Sequence, residues 1–432
     1  MALDVAPATD RSRAARVLDA AQARDAHWRD LYQDLHAHPE LSGREHRTAA
    51  ALAAELRASG LEVTEGVGGT GVVGVLRNGD GPVVMLRADM DGLPVLEDSG
   101  VDYQSRHTDM NPAGETVPTM HACGHDMHVT ALAAAVDTLA GARDAWGGTL
   151  LVVGQPAEET ASGANAMLAD GLFTRFPKPD VALGQHVGPI PAGVANHSRE
   201  LLMAAACTLD VTIHGRGGHG SRPFVTVDPI LTAAYAVTRL QTIVARETSP
   251  EDPLVVTVGT FHAGTKSNII PDTATFTVNL RARSDASMER AVAAVRRIVD
   301  AEAAAAGCPQ PPTIGMRENP PATVNTAEVV DRVMAAQAAV MPAGAIRIAD
   351  PLMGSEDFSE YGLPKGRYDG DPVPYAFWFW GGMDPALFPE GYTTGVVPSV
   401  PGNHTAQFAP LAEPTLDAGR RLLVAAALEF LG

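Results

Sequence analysis

Apolar residues recur along this chain with two different periods. Over about Arg11 to His36, and again over about Glu45 to Ser59, they return at helical spacing, and the second stretch stops at Gly60. Short runs rich in Val and Leu follow: VVGVLR, then VVMLRADMDG, where an apolar strand runs into acidic residues and a glycine. The Ala-rich segment after Asp126, to about Ala142, predicts a helix. GTLLVVGQPAEE predicts a buried strand whose last residues are two glutamates, and DVALGQH repeats that design with a histidine at its end. Alternating strands and helices predict an α/β sheet, and such sheets carry their chemistry at the carboxyl ends of the strands.

Near Leu201 the texture changes. CTLDVTIHGRGG alternates like a strand with one exposed face, and VDPILTAAYAVTRLQTIVA is an amphipathic helix. PLVVTVGTFHAG and TATFTVNLRARS predict two more strands, and MERAVAAVRRIVDAEAAAAG a second helix. This β-α-β-β-α order over about 110 residues predicts a small α+β domain with its helices on one face of an antiparallel sheet. After Pro309 to Pro312 the α/β texture returns. The expected architecture is a catalytic domain in two pieces, 1–200 and 315–432, with a lid domain of residues 201–314 inserted between them.

Composition adds limits to this picture. A length of 432 residues exceeds what one core organises, which agrees with two domains. A formal net charge of -19 argues against a nucleic-acid backbone or an anionic membrane as partner. Cys123, Cys207 and Cys308 are few, odd in number and far apart, which is no disulfide framework and points to a reducing compartment. The first residues lack the apolar core of a secretory signal, and no run approaches the roughly 20 apolar residues that span a bilayer. The expectation is a cytoplasmic protein.

The chemistry centres on HACGHDMH, residues 121 to 128, where Cys123 and His125 share a tight turn leading into a helix. A lone Cys is usually a small buried hydrophobe, so this motif needs company. Company comes from Glu158 and Glu159 after an apolar strand, since adjacent buried carboxylates need a cation or a proton. His186 ends another strand, and His404 sits in the loop PGNHTAQF. Three His, a Glu and a Cys form a ligand set typical of transition metals. Asp89 and Asp91 close a further strand and could ligate or orient a His ligand.

LHAHPELSGRE, RADMDGLP, HACGHDMH, QPAEE, GQHVGP, GRGGHGSRPFVTVDPI, SNIIPD, GSEDF and NHTAQF occur in this order over nearly the whole chain. In these stretches the sequence resembles the amidohydrolase family of hippurate hydrolases, N-acyl-amino-acid aminoacylases and auxin-conjugate hydrolases, within the dinuclear metallopeptidases. The resemblance implies a three-layer α/β/α catalytic domain and a ferredoxin-like lid that also dimerises. It implies two divalent ions, zinc or manganese first and cobalt or nickel as alternatives, held by Cys123, His125, Glu159, His186 and His404. The thiolate of Cys123 would bridge the ions and Glu158 would be the general base. His219 would donate to the oxyanion, in several relatives from the partner subunit of a homodimer or dimer of dimers. Asn268, Arg281, Gly354 and Ser355 would receive the substrate.

The implied activity is hydrolysis of the amide bond of a small N-acyl amino acid. Two rivals stand beside it: a dipeptidase or carboxypeptidase on the same fold, and a metal-containing binding protein without catalysis. Retention of Glu158 counts against the second, because a binder needs no base. A hydrolase with Cys123 as nucleophile leaves Glu158 and Glu159 unexplained. His36 and His38 are expected to support the fold near the site, and FWFWGG (377–382) to be a core strand.

Overall fold

In the computed structural model, which describes residues 8–21, 24–317, 320–365 and 368–432, the apolar runs become strands and the 3.6-period stretches become helices. The main helices are α1 (Ala8–Ala20), α2 (Asp25–Ala37), α3 (His46–Ala58), α4 (His125–Ala140), α5 (Pro229–Thr242), α6 (Asp285–Ala306), α7 (Ala327–Ala338) and α8 (Ala412–Phe430). The strands used below are β1 (Glu62–Val67), β2 (Gly71–Asn78), β3 (Val83–Asp89), β4 (Gly148–Gln155), β5 (Val181–Pro191) and β6 (Ala195–His197). After these come β7 (Ala205–His214), β8 (Leu254–Ala263), β9 (Thr273–Ala282), β10 (Thr313–Arg317), β11 (Ile346–Ile348) and β12 (Tyr375–Met383).

The chain divides into two compact units, one of residues 1–202, 324–350 and 357–432 and the other of residues 203–323 and 351–356. The second unit runs on past the expected end at 314. The reason is β10, which pairs antiparallel with β7 and so belongs to that sheet.

The first unit is built on an eight-stranded sheet in the order β1-β2-β4-β3-β5-β12-β6-β11 among the described residues. Its centre, β4-β3-β5-β12, is parallel, and β1 and β2 add on antiparallel. Central strands covered on both faces must be apolar throughout, and β3, β4, β5 and β12 are buried along nearly their whole lengths. On one face α8 lies so close that a Cβ at Gly419 would sit 3.0 Å from Ala131 of α4 and 3.2 Å from Trp380. The opposite face receives the short helical turn Asp357–Gly362, whose Phe358 presses with Phe377 of β12 on Gly184 of β5, and the short helix Gly163–Ala169 beside it. Long helices on one face and these short ones on the other make three layers.

Helix α4 is buried from His125 to Val136, as expected of a helix with apolar residues all round. The first predicted helix is in fact two, α1 and α2, with a break before Asp25 at which the sequence carries no Gly or Pro. Trp378 and Trp380 of the FWFWGG run are fully buried, each indole N–H bonded, to Gln185 Oε1 and to Thr415 O, so the run is core strand. Among the described residues no helix is long and apolar enough to cross a membrane.

The second unit has the order β7-α5-β8-β9-α6-β10 in the chain and β8-β9-β7-β10 in an all-antiparallel sheet. This is the β-α-β-β-α-β arrangement of ferredoxin-like folds. Alternate residues Phe276, Val278, Leu280 and Ala282 of β9 are buried, the one-faced burial that its alternating sequence predicts.

One buried group makes the first unit sensitive to acid. His197 of β6 is fully buried and stacks on Trp378, ring centroids 5.8 Å apart. Burial pushes its pKa down to about 4, against a lesser opposing pull from Gln337. The folded state therefore refuses a proton that the unfolded chain takes near pH 6.5, and stability falls as pH drops from there to about 4. The loss is about 3 kcal/mol. His197→Phe should remove it: urea unfolding of wild type and variant should diverge by that amount between pH 7 and 4, and parallel curves would refute this account.

Candidate metal centre

The carboxyl ends of β3 and β4, the middle of β5 and the amino end of α4 meet at one edge of the first unit. Cys123 and His125 flank Gly124, whose φ of 81° begins α4. A Cβ at Gly124 would lie 2.4 Å from Val187 Cγ1, so both the backbone angle and the space demand glycine. Glu158 and Glu159 stand past the end of β4 in a turn, not on the strand, and Ala157 (φ 50°) and Ala161 (φ 49°) bend that turn sharply. His404 arrives from far down the chain, also left-handed at φ 67°, with its N–H donated to Ala122 O at 2.7 Å. A non-glycine residue in that region costs of order 1 kcal/mol, and such strain collects at functional sites.

The structure brings all five expected ligands together. His186 Nε2 lies 3.4 Å and His404 Nε2 3.2 Å from Cys123 Sγ, and His404 Nε2 is 3.2 Å from Glu159 Oε1. Donor atoms of Cys123, His125 and His186 lie within 4.8 Å of one another, as do those of Cys123, Glu159 and His404. The thiol is thus shared by two triads. Glu158 Oε2 stands 3.9 Å from His125 Nε2, beside both.

Hydrogen bonds aim the imidazoles. His125 Nδ1–H donates to Asp91 Oδ1 at 3.1 Å and His186 Nδ1–H to Val187 O at 2.8 Å, leaving each Nε2 lone pair facing the thiol. Asp91 also accepts the N–H groups of Glu158 (3.2 Å) and Glu159 (3.0 Å). Asp89 orients rather than waits for a ligand: Arg87 donates to it at 2.6 Å, and His128 Nδ1–H donates to its other oxygen. Because His128 Nε2 accepts the Val187 N–H at 2.8 Å, both its nitrogens are used, and the nearby Asp89–His125–His128 group is no third donor set. Asp357 belongs to the same support, accepting from Gln155 Nε2 at 2.7 Å and Ala164 N at 3.1 Å.

Two supporting residues were not legible in the sequence. His128 lay in the quoted motif without a role. Asn403 donates through Nδ2 to Cys123 O and Val187 O, both at 3.2 Å, and so clasps the Cys123 turn to β5 beside His404. Its place just before a candidate ligand was the only signal.

The donor set fits a cation. His125 Nε2 and Glu159 Oε1 are buried with no hydrogen-bond partner among the described residues. Burial, then the charges of Glu159 and Glu158, push the Cys123 thiol well above its ordinary range. A thiolate there needs positive charge, which divalent ions held by thiolate, imidazole and carboxylate would supply.

Substrate candidates lie in the second unit. His219 and Ile269 pair in a two-stranded ribbon, next to Asn268, whose carbonyl accepts the Gly220 N–H at 2.9 Å. Both side chains are exposed. Arg281 donates to Ser355 Oγ at 2.6 Å and to Asn279 Oδ1 at 2.9 Å, while Gly354 O accepts the Ala204 N–H at 2.9 Å.

The model of the peptidase family M20/M25/M40 matches residues 85–383. The chain belongs to that family. It is 36% identical over 336 residues to thermostable carboxypeptidase 2 of Saccharolobus solfataricus, covering 77% of this chain and 81% of that one. To the hippurate hydrolase of Campylobacter jejuni it is 37% identical over 337 residues, 76% of this chain and 83% of that one. The crystal structure of the Bacillus subtilis YXEP protein, a dinuclear metal binding peptidase of family M20, matches in fold with a TM-score of 0.70 at 24% identity. That match covers 98% of this chain and 99% of that one.

His36 of α2 anchors the start of α4. Its Nδ1 lies 2.6 Å from Asp126 Oδ2 and its Nε2 3.0 Å from Glu97 Oε1, all three fully or nearly fully buried. Burial works against its charge, but Asp126 and Glu97 prevail and raise its pKa to about 9. His38, by contrast, is a more exposed residue bonded to Asp34 O at 2.7 Å. Replacing His36 by Leu should cost about 3 to 5 kcal/mol, because Asp126 is left buried and unpaired. A raised folded pKa gives stability in full below about 6.5 and loses it as pH rises to about 9. The gap between wild type and variant in urea unfolding should therefore shrink by about 3 kcal/mol over that range; a gap independent of pH would show that His36 is not charged.

Proposed function

We propose that this M20 enzyme cleaves the amide bond of N-acyl amino acids or similar small conjugates, releasing a carboxylic acid and an amino acid. The observation that carries the reading is the pair of donor triads sharing Cys123, with a carboxylate beside them that is not needed as a ligand. Cys123, His125, Glu159, His186 and His404 would hold two divalent ions, the thiol being common to both triads. Thiolate and imidazole favour zinc, the carboxylate admits manganese, and cobalt or nickel are alternatives. When bound, such ions lower the pKa of a water and polarise a carbonyl.

The remaining steps fall to the chain. Glu158 takes the proton of the attacking water and delivers it to the leaving amine. His219 Nδ1 accepts the N–H (3.1 Å) and hydroxyl (2.8 Å) of Ser221, so its Nε2 carries the proton and can donate to an oxyanion. Arg281, steadied by Ser355 and Asn279, supplies a charge for the substrate carboxylate, with Asn268 and the Gly354–Ser355 backbone as further donors. The exposed Leu231, Tyr235 and Phe261 of the second unit support a homodimer, or dimer of dimers, through this lid domain. Three cysteines without a disulfide support work in the cytoplasm.

Glu158→Ala should keep both ions by metal analysis while turnover falls about 10²- to 10⁴-fold. The assay set should pair benzoyl and acetyl amino acids with dipeptides. Faster cleavage of dipeptides would replace this reading with the carboxypeptidase one, and a fully metallated wild type that cuts neither would make the chain a binder. Failure of wild type to bind metal would remove the central claim.

A further inference from the structure

LHAHPELSGRE is one of the stretches in which the sequence resembles its family, yet the chemistry above uses none of its residues directly. Three of them reach the turns that carry the candidate ligands. His36 meets Asp126, Ser42 Oγ donates to Asp91 Oδ2 at 2.6 Å, and Glu45 reaches the turn after β4. Glu45 is fully buried. Its Oε1 accepts the N–H of Gly43 at 2.7 Å and of Ala157 at 2.9 Å, and its Oε2 accepts the hydroxyl of Thr70.

Ala157 is where the backbone turns left-handed, immediately before the two glutamates. Its N–H is the first of three in a row held by carboxylates: Ala157 by Glu45, then Glu158 and Glu159 by Asp91. Without Glu45, the amide that sets the direction of the turn has no acceptor, and an alanine has no intrinsic reason to stay at positive φ. Asp91 grips the turn only beyond that point, and the Ala157 carbonyl is held from within the turn by Ser162 N–H and Gly163 N–H, so the Glu45 bond is what ties the Ala157 amide to the rest of the fold.

We propose that Glu45 is a positioning residue for Glu158, holding the general base in its working direction through the Ala157 amide. This rests on the reading of Glu158 as base. Steady-state kinetics on an N-acyl amino acid at saturating metal, expressed per folded, metal-loaded chain, test it with Glu45→Ala, Glu45→Gln and Thr70→Val, alongside Glu158→Ala. Glu45→Ala should lower kcat at least tenfold with KM within about twofold. Glu45→Gln should restore most of the loss, because its amide oxygen can still take both N–H groups while its NH2 turns to Thr70 Oγ. Thr70→Val, which frees one carboxylate oxygen without leaving a hole, should lower kcat less and in the same direction, and decides the matter if Glu45→Ala does not fold. An unchanged kcat in Glu45→Ala or, if that variant is unfolded, in Thr70→Val would overturn the proposal. So would a Gln variant as poor as the Ala one. If Glu158→Ala itself keeps full turnover, it is the base reading that fails; if it is inactive while the Glu45 variants are normal, only the positioning role is lost.

Discussion

Buried negative charge is the constraint on which the rest of this structure depends. Asp89, Asp91 and Glu158 are buried around a thiol, and Glu159 is nearly so. Arg87 and the imidazoles offset part of that charge, and each carboxylate that is not facing the thiol is tied up by N–H or O–H donors. What is left over points at one place. A fold that concentrates acid in this way needs cations or protons to complete it, so bound metal would bear on folding as well as on the chemistry.

The parallel sheet makes that concentration possible. Strands β3 and β4 run in the same direction in register from Val83 and Thr149 to Asp89 and Gln155, so their polar ends arrive together. Helix α4 begins at the same edge, and its first turn carries His125 and Asp126. Two layers of apolar residues hold these ends rigid, and the aromatic strand β12 beside β5 serves that purpose, with Phe379 packed 5.3 Å from the His186 ring.

Much of this was legible in the sequence, for physical reasons. Long apolar runs that meet Asp, Glu or His announce buried strands that deliver polar groups, and Cys123, His125, Glu159, His186 and His404 follow from that pattern and from family motifs; His186, expected at a strand end, lies mid-strand because β5 runs on to Pro191. Alternation in β7 and β9 announced a one-faced sheet. Supporting residues stayed hidden because their partners are remote: nothing near Asn403 reveals that it bonds Cys123 O, and nothing near His128 reveals Val187 N. The break between α1 and α2 is likewise absent from local propensity. Glu158 and Glu159 were expected at a strand end, but a left-handed alanine, which sequence does not flag, places them past it.

The late arrival of His404 has a consequence for how the protein comes to be. Cys123 and His404 touch across 281 positions of chain, and a contact of that span closes slowly. During synthesis the acids and the thiol emerge well before the histidine that joins them. Asn403 and α8, which packs against α4, emerge with or after it. For that interval the nascent chain carries a half-built pocket of exposed carboxylates and one reactive sulfur. The order in which these pieces emerge thus leaves the site to be closed last, by the segment that carries His404.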